Sequence, residues 1–307
     1  MSYLLIGNIS ALICDDCIEP LANARIRVYL PEPKYPSDNL TVVKGIFNNL
    51  RPLSAREVLM KADRLLAEAA LDEKGNFSLA WEETHLFTEP LELDLCLDKM
   101  PGNTGSYQPR NYHLSYMVPH WKRNKENFIG AYAYVIPAAI WTDICSNAGA
   151  WVITGFVKRY GCDNGQPQLK VAAFNAANGK MVGQATTNEF GRYTIRFSRK
   201  DLYAGTLQPL REGRKHFGPD VYFKIYRHDQ LIWAEDESIA ASAARQDLAP
   251  CACLDICYKP SAIGRASIHI NRWINNIVTL TDTRKRTRVV LKHTTNPQLV
   301  VKDYPHV

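Results

Sequence analysis

The chain lacks the short motifs that most often mark a catalytic site. It contains no G-x-S-x-G, no Walker-type phosphate loop and no H-E-x-x-H, which removes the usual signatures of an esterase elbow, a nucleotide-binding loop and a zincin. No apolar run approaches the roughly 18–20 residues that a membrane-spanning helix needs. A secretion signal is also missing: residues 1–7 have no basic start, and the apolar run breaks at Gly7 and Asn8. Leu12-Ile13-Cys14 approaches a lipoprotein box, but Ile13 is too large for the residue before a cleaved cysteine and no basic residue precedes it. These absences predict synthesis and folding in the cytoplasm. Any action outside the cell, for example as part of a released particle, uses another route.

What is present is an ordinary globular composition, 46% hydrophobic and 22% charged over 307 residues, enough for about two domains. Fifteen Tyr, six Trp and ten Phe suit sheet cores and contact surfaces better than a helical bundle. The net charge of +6 is unevenly spread. Residues 1–100 carry 10 Lys/Arg against 16 Asp/Glu, a net −6, whereas residues 259–307 carry 9 against 2, a net +7. Such asymmetry favours head-to-tail association of like molecules, or docking onto an acidic partner.

Period-2 alternation predicts strands over residues 3–13, 24–30, 91–97 and 151–157. One stretch reads as an amphipathic helix, 54–70: Ser54 and Glu57 form a capping box, and Val58, Ala62, Leu65, Leu66 and Ala69 share a face. Residues 98–127 read as a long aromatic connection, and 128–150 as an apolar bridge of small residues.

An internal repeat organises the whole. A shift of 148 residues lays Gly7 on Gly155 and Cys14 on Cys162; a shift of 116 lays Asp72 on Asn188, Gly75 on Gly191 and Phe77 on Tyr193. Both copies then read turn, glycine, strand, as in Asn188-Glu189-Phe190-Gly191-Arg192-Tyr193-Thr194-Ile195. Two matched turn–strand signals in one order indicate a duplicated domain. Short strands at close spacing indicate a β-sandwich.

The first-strand glycine, the run Pro20-Leu21-Ala22-Asn23-Ala24-Arg25-Ile26-Arg27-Val28-Tyr29 and the Asp72-x-x-Gly75-Asn76-Phe77-x-Leu79 element resemble the transthyretin-like superfamily. That group includes the carboxypeptidase regulatory-like and collagen-adhesin B-type domains. The resemblance covers about two thirds of the chain and departs at Asn23, where the family usually has Gly. It implies a mainly β fold of two tandem Greek-key β-sandwiches, with one inserted α-helix and a C-terminal β arm. The divisions expected are a sandwich over 1–100 with the helix 54–70 inserted, an aromatic connecting segment over 101–150, a second sandwich over 151–260, and a basic arm over 261–307. Members are mostly accessory, structural or adhesive modules, so activity must be argued from a site.

Cys14-x-x-Cys17 and the group Cys251, Cys253 and Cys257 are the weak metal candidates, because thiolates hold zinc tetrahedrally. On one strand the outer pair of the second group lies too far apart for one ion, so metal and cofactor are both read as none, with reduced buried cysteines favoured over disulfides. The intradiol dioxygenases share this sandwich and the Gly191-Arg192-Tyr193 turn. Their strand-borne His pair has no counterpart in Gly218-Pro219-Asp220-Val221-Tyr222-Phe223, and His216 stands alone.

The leading expectation is a non-enzymatic structural or adaptor protein of a multi-subunit bacterial assembly, such as a phage-tail-like or contractile injection particle. It would contact other protein subunits, or itself, through Tyr107, Tyr112, Tyr116, Trp121 and the basic run Arg284, Lys285, Arg286 and Arg288. Nucleic acid is disfavoured for that run, which continues into a strand-like Val289-Val290-Leu291. The alternatives are a carbohydrate- or peptide-binding module using the same aromatics as stacking platforms, and a divergent metalloenzyme of the intradiol dioxygenase-like type.

Overall fold

The computed structural model describes residues 2–14, 17–32, 50–82, 89–102, 108–203 and 218–259. The elements in order are β1 (Ser2–Cys14), β2 (Cys17–Pro20), β3 (Ala24–Tyr29), β4 (Arg51–Leu53), α1 (Ala55–Met60), a 3-10 turn (Ala62–Arg64), β5 (Leu65–Ala70), β6 (Asn76–Glu82), β7 (Leu91–Leu97), β8 (Arg110–Met117), β9 (Lys122–Asn124) and β10 (Asn127–Ile136). They continue with α2 (Ala138–Ala148), β11 (Ala150–Arg159), β12 (Lys170–Asn175), β13 (Lys180–Thr186), β14 (Arg192–Ser198), α3 (Arg199–Tyr203), β15 (Val221–Arg227), β16 (Gln230–Ala234), a second 3-10 turn (Glu237–Ala241), β17 (Cys251–Cys253) and β18 (Ile256–Tyr258). The protein is mainly β and folds as sandwiches.

Two sheets make the first sandwich. In one, β1 lies between β10 on one side and β2 and β6 on the other, with β9 beyond β10; the other runs β4-β8-β7-β3-β5. The second sandwich repeats the scheme. Strand β11 lies between β14 and the pair β17 and β18, facing the sheet β13-β12-β15-β16. In both, the first and last strands are parallel, β1 with β10 and β11 with β17. Each sandwich has its own core. Leu5, Ile9, Ile26, Leu93, Leu95 and Ile136 centre the first; Ile153, Val171, Tyr193, Ile195, Phe223 and Ile225 centre the second.

The repeat holds at the level of single hydrogen bonds. The Asp72 carboxylate accepts from the backbone N–H of Lys74 and Asn76, and the Asn188 side-chain oxygen accepts from Phe190 and Arg192. Gly75 and Gly191 follow with φ of +74° and +78°, the region that only glycine enters without steric cost. Their carbonyls accept from Ile9 and Val157 at 2.9 Å each, which ties each turn to its first strand. Gly7 and Gly155 are also equivalent in their surroundings. A Cβ on Gly7 would lie 1.9 Å from the Tyr132 carbonyl oxygen, and one on Gly155 would lie 2.1 Å from that of Leu254. The last strand of each sandwich passes directly over this glycine.

Three expectations are corrected. The stretch 54–70 is not one helix. α1 keeps the Ser54–Glu57 capping box, but the chain leaves the helix at Lys61 and continues as β5, antiparallel to β3. Ala67 and Ala69 pack on the core while Glu68 and Ala70 are exposed, an alternation that suits a strand edge, and pairing with β3 overrides helix propensity. The segment 101–150 is not a connection. It supplies β8 and β9, then β10, in which Gly130, Tyr132, Tyr134 and Ile136 alternate buried with exposed Ala131, Ala133 and Val135, and finally α2. The closing stretch 251–258, expected as one strand, is two short strands broken at Leu254 and Asp255, where Gly155 lies opposite.

Alanine at Gly7 or Gly155 is expected to destabilise the protein by at least about 1–3 kcal/mol through overpacking against fixed backbone. Alanine at Gly179, which has φ of +64° and nothing within 4 Å of a new Cβ, should cost only about 1 kcal/mol of backbone strain. Urea unfolding of the three variants separates the two mechanisms, and equal losses would refute the close approach.

Candidate functional site

Two concentrations of chemistry stand out. The first is the junction between the sandwiches. Strand β1 ends at Cys14, the β1–β2 hairpin returns at Cys17 opposite it, and β17 brings Cys251 and Cys253 from the second sandwich. Cys14 and Cys253 form a disulfide across 239 residues of sequence, with Cα atoms 6.3 Å apart. The sulfurs of Cys14, Cys17 and Cys253 all lie within 4.8 Å of one another. The Arg192 guanidinium, on β14, donates to the Cys17 sulfur, and Arg196, four residues on along the same strand, pairs with Glu19 at 2.9 Å. Burial pushes the Cys17 thiol up, against the lowering effects of the Thr154 hydroxyl and Arg192.

Helix α2 packs beneath this junction with Trp141, Ile144 and Cys145 buried. The Cys145 thiol is hydrogen-bonded to Cys251, which raises Cys145, with burial adding to the shift, and lowers Cys251. A cavity of about 390 Å³ opens alongside, lined among others by Glu19, Asn23, Lys99, Trp141 and Arg196.

The second concentration lies on the outer face of β7. Leu91, Leu93, Leu95 and Leu97 point into the core, yet the alternating Glu92 and Asp94 are only 2% exposed each. Lys61 descends from the end of α1 to meet them, donating to Asp94 at 2.9 and 3.1 Å and pairing with Glu92. His113 on β8 lies 3.2 Å from Asp94 and 3.4 Å from Glu92. Arg64 contacts Glu92 at 3.4 Å and donates to the Leu30 carbonyl at 2.6 Å. The Tyr116 hydroxyl donates to Glu92, and the Tyr29 ring lies 5.5 Å from the Lys61 nitrogen.

Burial pushes the Glu92 carboxyl up, but hydrogen bonds from His113 and Lys61 more than reverse this and hold it at about 2. Burial lowers His113, and the Asp94 and Glu92 hydrogen bonds outweigh it to leave the imidazole raised. Two carboxylates and an imidazole are a plausible set of metal donors. Here the Lys61 ammonium sits between the carboxylates and supplies the positive charge an ion would bring. The network is therefore read as structural.

The residues singled out from sequence fall in different places. Tyr112 is a core residue on β8, 7% exposed. Tyr116 is tied to the charge network, its ring 4.5 Å from that of His113. Trp121 packs edge-on against Tyr3 and Trp81. These three do not form an open stacking platform, because each ring is committed to neighbours of its own. Tyr107, His216 and the basic run Arg284, Lys285, Arg286 and Arg288 lie outside the described residues. Among the cysteines, Cys257 is exposed and apart from the cluster, whereas Cys253 joins Cys14 and Cys17. The preference for reduced cysteines over disulfides is corrected at Cys14 and Cys253, which form a disulfide: the two sequence clusters, 239 residues apart, meet in space. The Lys61 network was missed because the sequence over 91–97 shows only a period-2 strand, and its counter-charges come from residues 61, 64 and 113 far along the chain.

No family model and no curated protein matches the chain. Among solved structures, a variant of the shaft pilin SpaA from Lactobacillus rhamnosus GG aligns over 85% of this chain and 99% of its own, at 8% identity and a TM-score of 0.28. The minor pilin of Streptococcus agalactiae aligns over 84% and 95%, at 9% identity and 0.23. The TIE protein of Bacillus anthracis aligns over 85% of this chain at 9% identity and 0.23, and this chain spans only 34% of its length. Likenesses at these TM-scores carry no functional argument.

The charge network sets a pH window for stability. Glu92, lowered on folding, contributes stability that is present above about pH 4.3 and lost as pH falls toward about 2. His113, raised on folding, contributes stability present below about pH 6.5 and lost as pH rises through its folded value. Urea midpoints against pH should therefore show an alkaline decline that disappears in His113→Gln, and an unchanged decline would refute the assignment. Lys61→Met, which strands two buried carboxylates, should cost about 3–5 kcal/mol.

Proposed function

We propose that the protein is a non-enzymatic structural or adaptor component mediating protein–protein contacts in a multi-subunit bacterial assembly, of phage-tail-like or contractile injection type. The observation that carries this reading is an asymmetry between the two copies of the fold. In the first sandwich, β8 is covered at the sheet edge by β4, which carries Pro52 in its middle. Its counterpart in the second sandwich, β16, pairs only with β15 among the described residues. The row of backbone groups on its outer side is the template on which an added strand forms ladder hydrogen bonds. Leu231 on this strand is 48% exposed.

The clusters that could do chemistry are occupied with holding the protein together. Lys61 fills the carboxylate pair on β7, and Arg245 is paired with Glu235 at 2.7 Å over the Phe223 ring on β15. The acidic first 100 residues and the basic residues 259–307 supply complementary charge for contacts between copies or with neighbouring subunits. We assign the protein's synthesis to the cytoplasm and its work to a particle, and we disfavour nucleic acid as a partner. No described helix is long and apolar enough to cross a membrane.

Light scattering of the purified chain should show mass rising with concentration at low salt. The rise should fall away as ionic strength passes about 0.15 M, where charges more than about 8 Å apart are screened. Leu231→Lys, a charge placed on the open edge, should reduce assembly without changing the melting temperature. A protein that stays monomeric at every salt and concentration, and whose melting temperature climbs on adding a soluble oligosaccharide or peptide, would replace this reading with that of a ligand-binding module.

A further inference from the structure

We propose that in the reduced chain Cys14, Cys17 and Cys253 form a thiolate site for one soft divalent ion of the zinc class, and that this ion takes over from the Cys14–Cys253 disulfide as the link between the two sandwiches. Three sulfurs from three strands converge within 4.8 Å of one another. Tetrahedral zinc with Zn–S of about 2.3 Å sets its sulfurs about 3.8 Å apart, so once the disulfide is reduced the Cys14 and Cys253 sulfurs separate from bonding distance by about 2 Å, while Cys17, within 4.8 Å of both, closes by no more than about 1 Å. Two of the ligands face each other across one hairpin, since Cys14 pairs with Cys17 in the β1–β2 register. The ladder therefore fixes them relative to each other before any metal arrives. Cys253 is exposed while Cys17 is buried, which gives the ion a way in and a shielded floor.

The electrostatics also fit. Three thiolates around a divalent ion carry one net negative charge. The Arg192 guanidinium, already donating to the Cys17 sulfur, offsets it, and the Thr154 hydroxyl is hydrogen-bonded to the same thiol. A bound ion displaces thiol protons outright. The fourth position falls to solvent or to Cys251. That residue lies two positions before Cys253 and so on the same face of β17, although its present partner is Cys145.

The change of state balances. A small-molecule thiol or phosphine reductant delivers two electrons, the Cys14–Cys253 bond breaks, and two protons complete the two thiols. Binding the ion then releases the three thiol protons to solvent. In the reverse direction, loss of the ion and oxidation by a small-molecule disulfide restore the covalent bond.

The test uses the full chain. Protein reduced with a phosphine and freed of it anaerobically is titrated with Co²⁺ and then with Zn²⁺. One Co²⁺ per chain should bind, with thiolate-to-metal charge-transfer absorption worth at least three thiolates and tetrahedral visible bands, and Zn²⁺ should abolish both. Zn²⁺ should also raise the melting temperature of the reduced chain. Cys17→Ser is the decisive variant because it leaves the disulfide partners intact: it should weaken Co²⁺ binding at least tenfold and remove the Zn²⁺-dependent rise in melting temperature. Cys162→Ser, at an exposed cysteine remote from the cluster in sequence, should change neither. Absence of charge-transfer absorption in the reduced chain, binding undiminished in Cys17→Ser, or equal binding by the oxidised chain would each overturn the proposal.

Discussion

Each sandwich is closed by a parallel pairing of its first strand with its last, and much of the structure follows from that constraint. Parallel neighbours cannot be joined by a hairpin, so the chain must travel through the entire sandwich before it can return. The returning strand passes so close to its partner that only glycine fits beneath it, as at Gly7 under Tyr132 and at Gly155 under Leu254. Because β1 is long, its far end projects beyond β6 to pair with β2. That projecting end is where β17 arrives from the second sandwich. The junction is thus a product of strand lengths and closure rather than a separately built linker.

The second constraint is the burial of charge on β7. A strand with leucines on one face and carboxylates on the other would ordinarily lie at a surface. Here the segment from Arg51 to Arg64 covers it, and the covering residues supply the counter-charges. The helix α1 ends where it does because Lys61 has to turn inward to reach Glu92 and Asp94. A continuous helix through residue 70 would deny β3 its edge partner β5. Buried pairs of this kind add little net stability compared with an apolar replacement, but they penalise alternative packings heavily once one partner is misplaced. The network therefore fixes how the insertion docks more than how strongly it does so.

The duplicated framework was legible in the sequence because it rests on local chemistry: an Asx turn, a glycine with positive φ and a period-2 strand each leave a mark a few residues long. Asp72 with Gly75, and Asn188 with Gly191, are such marks. What escaped is what depends on distant partners. Residues 65–70 satisfy a helical and a strand period at once, and only the presence of β3 decides between them. The alternation of tyrosine and alanine in β10 is a strand signal, but its place beside β1 is set by closure. The meeting of Cys14, Cys17 and Cys253 is invisible in one dimension, since spacing along the chain says nothing about two clusters 239 residues apart.

The two copies of the fold have diverged at their edges and ends while keeping their cores. In the first, β4 caps a sheet edge and β9 extends the opposite sheet beyond β10; in the second, β16 is left at the edge of its sheet among the described residues. The proposed role in holding neighbouring subunits would use this division. In the first sandwich β8 is covered by β4, whereas its counterpart β16 in the second has no further partner among the described residues, and under that proposal the junction passes any load on the second sandwich to the first. Salt bridges such as Arg196–Glu19, where Arg196 is nearly half exposed, contribute at most about 1 kcal/mol each and cannot fix two domains by themselves. A link through sulfur at Cys14 and Cys253 can, and the third thiol beside it is what allows that link to take a form suited to the compartment in which the chain finds itself.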